Sequence, residues 1–372
     1  MKKLYIDLKN TAADNSYHII INDGLVAMAG AEIRPHLTNN RVIIISDENV
    51  APLHLKTLQA SLDNVNIHHK THICPVGEQS KSFSYLQHLI NDLFKHGIDR
   101  QTTLLAFGGG VVGDLTGFAA ASILRGVPFI QIPTSLLAQV DSAVGGKTGI
   151  NCEAGKNMVG AFYQPKLVLS DVNILKTLPA RQLKAGYSEI LKYALISDKN
   201  FFNWLLENGE KIISGDADAC IQAVEVSCAT KAAIVAEDER EKGVRALLNL
   251  GHTFAHSFEK AFDFSDKLLH GEAVGIGLNL AFKTAVKMNI CGQNAATLLE
   301  NHLKDLKILH SLKLLAPHSF TAQNLLDYMQ YDKKNSDGKI VFILPHDIGN
   351  CHINKNVSPD MVKEILQQDM AG

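Results

Sequence analysis

The chain contains no Cys-x-x-Cys pair. Its six cysteines, Cys74, Cys152, Cys220, Cys228, Cys291 and Cys351, are scattered, which argues against a thiolate zinc cluster or a disulfide framework and suits reduced thiols in a cytoplasmic protein. Charge of one sign is also missing. A formal net charge of −2 gives no global pull toward nucleic acid or a membrane surface, so neither is expected as a partner and any anionic ligand must be met locally. No apolar run approaches the roughly 20 residues that span a bilayer, and Met1-Lys2-Lys3-Leu4-Tyr5-Ile6-Asp7 lacks a signal-peptide core. Internal repeats and low-complexity tracts are absent too. What remains is globular: 46% hydrophobic and 20% charged residues over 372 positions predict two domains with a substantial core.

The two halves differ in period. Short apolar runs at Arg41–Ser46, Thr102–Phe107, Phe129–Pro133 and Leu167–Ser170 read as buried strands, with helices at Phe83–His96 and Val111–Leu124 between them. This pattern predicts a largely parallel sheet with right-handed crossovers. Beyond Leu178-Pro179 the helical period takes over and continues to about Tyr331, after which Asp337-Gly338 forms a turn and Lys339–Leu344 a short strand. The expected fold is therefore α/β: an N-terminal domain over residues 1–180, and a mostly α-helical domain over 181–372.

Gly108-Gly109-Gly110-Val111-Val112-Gly113-Asp114 follows a predicted strand and opens a predicted helix. Such a turn lets backbone approach a pyrophosphate at a helix N-terminus, although the same glycines also suit a plain tight connection. No acidic ribose partner stands about 20 residues downstream. Asp47, at the end of an earlier strand, is the better candidate and implies a chain order unlike the standard Rossmann fold. Glu78-Gln79-Ser80-Lys81 reads either as a cofactor loop or as a solvated helix cap. Ile132 to Lys147 and then Gly155-Lys156-Asn157 place hydroxyls, one acid and two lysines beside glycines, as a ligand-lined loop would; any single lysine is more often just solvated.

Arg245, Asn249, His252 and His256 are spaced by four, three and four residues, so one α-helix would stack them on a single polar stripe facing an internal cleft. His252-x-x-x-His256 can put two imidazoles on one metal, and His270 in His270-Gly271-Glu272 offers a third. By spacing alone the helix pair is preferred. Glu189 could complete the shell, but it sits opposite the apolar stripe Tyr187, Ile190, Leu191, Ala194 and Leu195, which reads first as a solvent-facing carboxylate.

The run from Arg125-Gly126 through Pro133-Thr134-Ser135-Leu136-Leu137-Ala138-Gln139-Val140-Asp141-Ser142, with Gly145-Gly146-Lys147 and Gly155-Lys156-Asn157, closely resembles the 3-dehydroquinate synthase family. The resemblance extends from about Asp47 to Asp332-Lys333-Lys334 and includes Asp238-Glu239-Arg240 and Leu248-Asn249-x-Gly251-His252-Thr253. It implies an NAD-binding α/β domain, a helical metal-binding domain, an active site between them and a homodimer. By matched position it makes Glu189, His252 and His270 the ligands of Zn²⁺, with Co²⁺ as the alternative, and overrules the spacing-based choice of His256. It places Asp47, Glu78, Lys81, Gly109, Gly110, Val111, Asp114, Thr134, Ser135, Asp141, Lys147, Lys156 and Thr177 around NAD. Asp141, Lys147, Asn157, Lys192, Lys231, Arg245, Asn249, His256 and one of Lys333 or Lys334 match substrate-contacting positions, and Arg125 would reach the neighbouring subunit's substrate.

The substrate so implied is a sugar phosphate, 3-deoxy-D-arabino-heptulosonate 7-phosphate, whose carboxylate and phosphate suit a local density of cations. The implied reaction of the shikimate pathway is transient NAD-dependent oxidation, phosphate elimination, re-reduction and intramolecular aldol closure to 3-dehydroquinate. Competing readings are another sugar phosphate cyclase, a metal-dependent polyol dehydrogenase that would accumulate NADH, and a silent NAD- or metal-sensing module that would bind without turnover.

Overall fold

The computed structural model describes residues 1–8, 15–153, 155–238, 243–316, 320–332 and 339–372. Two compact units result: Met1–Pro179 with Ser214–Ala236, and Ala180–Ile213 with Glu237–Gly372.

The first unit is built on strands β1 (Lys2–Ile6), β2 (Tyr17–Asn22), β3 (Arg41–Asp47), β4 (His68–Cys74), β5 (Thr103–Gly108), β6 (Phe129–Pro133) and β9 (Leu167–Asp171), in the spatial order β1-β2-β9-β6-β5-β3-β4. Only β1 runs antiparallel to its neighbour. Helices cover both faces, which is why the strands read as unbroken apolar runs. Val42 and Ile44 point into one core with Leu58 and Leu62, while Ile43 and Ile45 point into the other with Leu89, Leu93, Val112 and Leu115. The first layer carries α1 (Ala29–Ile33) and α2 (Lys56–Asp63); the second carries α3 (Phe83–Lys95) and α4 (Gly110–Ser122). A separate hairpin, β7 (Lys147–Cys152) with β8 (Gly155–Phe162), packs against α4.

The helical stretch beyond residue 180 contains α5 (Ala180–Ser197), α6 (Lys199–Ile213) and α7 (Ala217–Glu237). By length and composition α7 could cross a bilayer, so the expectation that no segment approaches that length does not hold. In this fold α7 serves as a packed helix of the first unit: Cys220, Ala223, Val224 and Cys228 are buried, and the Cys228 thiol donates to the Gln139 carbonyl.

The second unit is mostly helical and centred on α9 (His270–Lys287), which is buried continuously from Gly271 to Phe282. Around α9 pack α5, α8 (His252–Ala261), α10 (Gln293–Asp305), α12 (Pro359–Ala371) and β10 (Phe342–Asp347); α11 (Ala322–Asp332) packs on α8 and α12. β10 pairs with β11 (Asn350–Asn354) in an antiparallel hairpin. The expected C-terminal strand is therefore present but starts at Phe342 rather than Lys339, and its Asp337-Gly338 turn lies outside the described residues.

Candidate active site

In the first unit the candidate dinucleotide residues follow the carboxyl ends of parallel strands. Asp47 ends β3, Glu78 and Lys81 follow β4, Gly109 and Gly110 follow β5, Thr134 and Ser135 follow β6, and Thr177 follows β9. The chain leaves β3 toward β4 on one side and returns to β5 on the other, so the glycine turn sits at a topological switch point, where open α/β sheets bind ligands. This order differs from the standard Rossmann arrangement, as the position of Asp47 suggested.

Several of these residues meet. The Lys81 ammonium is buried and donates to Asp114 Oδ2 at 2.7 Å and to Asn157 Oδ1, with Glu78 Oε1 3.5 Å away. Burial alone would lower its pKa, but Asp114 and Glu78 outweigh that and raise it, so the lysine stays charged. Asn151, which sequence reasoning missed, ties the group together: its side-chain amide donates to Glu78 Oε1 at 2.9 Å and its Oδ1 accepts from the Asn157 N–H at 2.9 Å. Asp141 receives the buried Lys231 ammonium at 2.8 Å through Oδ1 and at 2.6 Å through its carbonyl. A Cβ at Gly109 would lie 3.6 Å from Ser135 Oγ, and one at Gly110 would lie 3.0 Å from Ser142 Oγ, so the hydroxyl-rich loop lines the glycine turn beside Val111.

Others stand apart. The Asp47 carboxylate accepts from the Asn49 and Val50 N–H groups. Thr177 Oγ1 lies 2.8 Å from His54 Nε2. Lys147 and Arg125 are exposed and Lys156 is half-buried; Arg125 takes a left-handed φ of +68°.

In the second unit the expected single stripe is broken. Val244–Asn249 is a 3₁₀ turn, Leu250 is non-helical, and α8 begins only at His252 after Gly251 in the left-handed region at φ +79°. The break has a packing cause. A Cβ on Gly251 would lie 2.8 Å from the Leu278 nitrogen, and one on Gly277 would lie 2.2 Å from the Gly251 carbonyl oxygen, so the backbone turns against α9 where a regular helix could not. Arg245 is consequently buried at 1% exposure while His256 is exposed. Asp238 Oδ2 shapes the turn by accepting from the Gly243 and Arg245 N–H groups.

The break aims His252 at α5 and α9. Nitrogen or oxygen atoms of Glu189, His252 and His270 lie within 4.8 Å of one another; Glu189 Oε1 is 3.7 Å from His252 Nε2 and 3.5 Å from His270 Nε2. Spacing alone had favoured His252 with His256, but His256 turns its ring nearly perpendicular to His252, with centroids 5.5 Å apart, and falls outside that group. Glu189 also departs from a solvent-facing reading. It is 0% exposed because α5 is buried all round from Ala185 to Ile196 and has no solvent side at that level.

The donor set fits a divalent ion. His252 Nδ1–H donates to the Leu250 carbonyl at 3.1 Å, and His270 Nδ1–H donates to Glu259 Oε2 at 3.1 Å. Both hydrogen bonds leave Nε2 as the atom that a metal could take. Burial and the neighbouring Lys192 ammonium push His252 down to about 3, so it is neutral as a ligand must be. Burial acts the same way on His270, but Glu259 and Glu189 outweigh it and raise the group to about 10 in the metal-free protein. The Lys192 ammonium, 2% exposed, lies 2.5 Å from Glu189 Oε2. Glu259 is a contributor that sequence reasoning missed. It stands seven residues after His252 on α8, a same-face spacing, but only the approach of α9 makes it a partner of His270. Asn249 is half-buried at the end of the 3₁₀ turn; Lys333, Lys334, Glu239 and Arg240 lie outside the described residues.

A parallel sheet with its glycine turn at the switch point, together with a Glu-His-His centre in a helical unit, defines a dinucleotide- and metal-dependent class of enzyme. Known proteins narrow that class. The 3-dehydroquinate synthase N-terminal family description matches residues 71–185, and the C-terminal one matches residues 186–335. The 3-dehydroquinate synthase of Rhodospirillum rubrum is 51% identical over 359 residues, covering 96% of this chain and 93% of its own. That of Cereibacter sphaeroides is 48% identical, covering 96% of each chain. Among solved structures, the 2-epi-5-epi-valiolone synthase ValA of Streptomyces hygroscopicus subsp. jinggangensis, with NAD⁺ and Zn²⁺ bound, is 26% identical with a TM-score of 0.86 over 96% of this chain and 98% of its own. A 2-deoxy-scyllo-inosose synthase complexed with carbaglucose-6-phosphate, NAD⁺ and Co²⁺ is 25% identical with a TM-score of 0.87 over 99% of this chain and 100% of its own. The chain belongs to the 3-dehydroquinate synthase family.

Proposed function

We propose that the chain converts 3-deoxy-D-arabino-heptulosonate 7-phosphate to 3-dehydroquinate and phosphate, with the Glu189, His252 and His270 centre as its chemical focus. The observation that carries this reading is the convergence of one carboxylate and two Nε2 atoms, each ring fixed from behind, in a chain about half identical to 3-dehydroquinate synthases. When bound, NAD and a zinc or cobalt ion supply reversible hydride acceptance and polarisation of a substrate hydroxyl. Three protein ligands leave coordination positions for substrate oxygens.

The protein's own residues hold and orient. Glu78, Lys81, Asp114 and the glycine turn at Gly109, Gly110 and Val111 cradle the dinucleotide with Asp47, Thr134, Ser135, Lys156 and Thr177. Lys147, Lys192, Lys231 and Arg245 supply cations for the substrate's phosphate and carboxylate, with Asp141, Asn157, Asn249 and His256 as polar contacts. The deep burial of Lys192, Lys231 and Arg245 supports these roles, since such groups are seldom buried without an anionic or polar purpose. Fixed cations keep a flexible sugar phosphate in register through several steps without reorganising. A homodimer in which Arg125 serves the neighbouring copy accords with that residue's exposure and unusual backbone, and a cytoplasmic location accords with six cysteines that form no disulfide.

The test is phosphate release from the heptulosonate phosphate with NAD⁺ and zinc, with the product identified. We expect release without net NADH, lost on chelation and restored by zinc or cobalt. Stoichiometric NADH accumulation would point instead to a dehydrogenase, and binding without turnover to a sensing module.

A further inference from the structure

In His270-Gly271-Glu272 only the histidine belongs to the ligand group, which leaves the glutamate without a role in the chemistry. The geometry points to one: Glu272, gripped by Arg181, is a positioning residue that sets where His270 enters the metal centre. The Arg181 guanidinium on α5 forms a two-pronged pair with Glu272, Nε to Oε1 at 2.7 Å and Nη2 to Oε2 at 2.7 Å. The same guanidinium donates to the Asp266 carbonyl at 3.0 Å and to the Lys267 carbonyl at 2.9 Å. Glu272 Oε2 also accepts from the Leu269 N–H at 2.9 Å. One arginine thus holds both the segment leading into α9 and the first turn of α9, on either side of His270.

Gly271 supplies the second attachment. A Cβ there would lie 1.9 Å from the Ala185 carbonyl oxygen of α5, so α9 starts in direct backbone contact with the helix that carries Glu189. Arg181 lies roughly two turns before Glu189 on α5. The pair and the glycine contact therefore reference the α9 ligand to the α5 ligand, independently of Glu259, which bonds the His270 ring. A bidentate guanidinium–carboxylate pair fixes orientation as well as distance, and a ligand displaced by a fraction of an ångström weakens a three-residue site.

This inference rests on the proposed metal centre, so its test reads metal binding directly. Metal-stripped wild type, Arg181→Met, Arg181→Lys, Glu272→Gln, the double variant and His270→Ala are titrated with Zn²⁺ against a chromophoric chelator and with Co²⁺ by its visible ligand-field spectrum. Melting of each metal-free protein is recorded alongside. We expect Arg181→Met to bind Zn²⁺ about tenfold or more weakly, within the range that supporting groups around a metal command, with an altered Co²⁺ spectrum. Arg181→Lys should fall in between, and the double variant should be no weaker than the weaker single one. His270→Ala should lose the site. Unchanged metal affinity and spectrum in Arg181→Met, with only a lowered metal-free melting temperature, would overturn the inference. If Arg181→Met does not fold, Glu272→Gln, which keeps an acceptor for the Leu269 N–H, decides by the same criteria. Failure of the wild type itself to bind either ion would instead remove the metal centre, and the inference with it.

Discussion

Replacing Glu259 by Gln probes how the protein sets the donor strength of His270. Glu259 is 4% exposed and accepts the His270 Nδ1–H at 3.1 Å. A glutamine has nearly the same shape and can still accept through its amide oxygen, so the change removes charge while leaving the ring in place. Hydrogen bonds to charged groups contribute about 1.5–3 kcal/mol, against roughly 1 for neutral ones. The difference, on the order of 1–2 kcal/mol, corresponds to about a five- to thirtyfold loss of affinity, which overlaps the 10–100-fold commonly seen when such supporting groups are removed. Because Glu259 also helps His270 hold a proton in the metal-free protein, the assay is competition for Zn²⁺ against a chromophoric chelator over a pH series, with the Kd extrapolated to the unprotonated ring and melting of the metal-free variant to confirm folding. Phosphate release should be largely restored at saturating zinc. A zinc Kd within twofold of wild type, in a folded variant, would refute the reasoning and leave Glu259 as a buried polar group with no hold on the metal.

Other changes test other parts of the structure. Arg245→Lys retains charge but loses the guanidinium fork at a position 1% exposed; substrate affinity and turnover should fall at least tenfold, about 1.4 kcal/mol, read as kcat/KM for phosphate release. Gly251→Ala would force a Cβ to within 2.8 Å of the Leu278 nitrogen at φ +79°. It should cost about 2–4 kcal/mol from left-handed strain and overpacking together, seen as a lower denaturation midpoint and reduced zinc content. Burial holds His302 down at about 4, against an ordinary value of 6.5, with its Nε2 2.7 Å from the Tyr187 hydroxyl. Between those two values the unfolded chain binds the extra proton, so stability should be lost as pH falls from 6.5 toward 4, by up to about 3 kcal/mol. Denaturant midpoints of His302→Gln should lack that share of the acid sensitivity.

Four strands and two helices of the first unit were legible because each is a local pattern. Apolar runs at Arg41–Asp47 and Thr103–Gly108 are buried on both faces, and α3 and α4 fall where the helical period places them. Legibility failed where packing overrode local preference. Four residues at helical spacing from Arg245 to His256 invited one continuous helix, yet the close approach of Gly251 to Gly277 breaks it. Glu189 looked solvent-facing because a helical wheel shows only whether one face is polar, whereas α5 is enclosed on every side at that level. The run Ala217–Glu237 illustrates a related limit: its composition would allow a membrane span, and only its packed partners show it serving as a core helix.

The amino-acid order by itself determined the parallel α/β unit, the glycine turn and the supply of histidines, acids and lysines, because these depend on local period and side-chain chemistry. Spacing along the chain did not choose which histidine joins His252 and Glu189; the tertiary structure groups His270 with them, as the family resemblance implied, and it alone shows what stands behind each ring. The three donors come from α5, α8 and α9, and their meeting depends on backbone contacts at Gly251 and Gly271 that no spacing along one segment encodes.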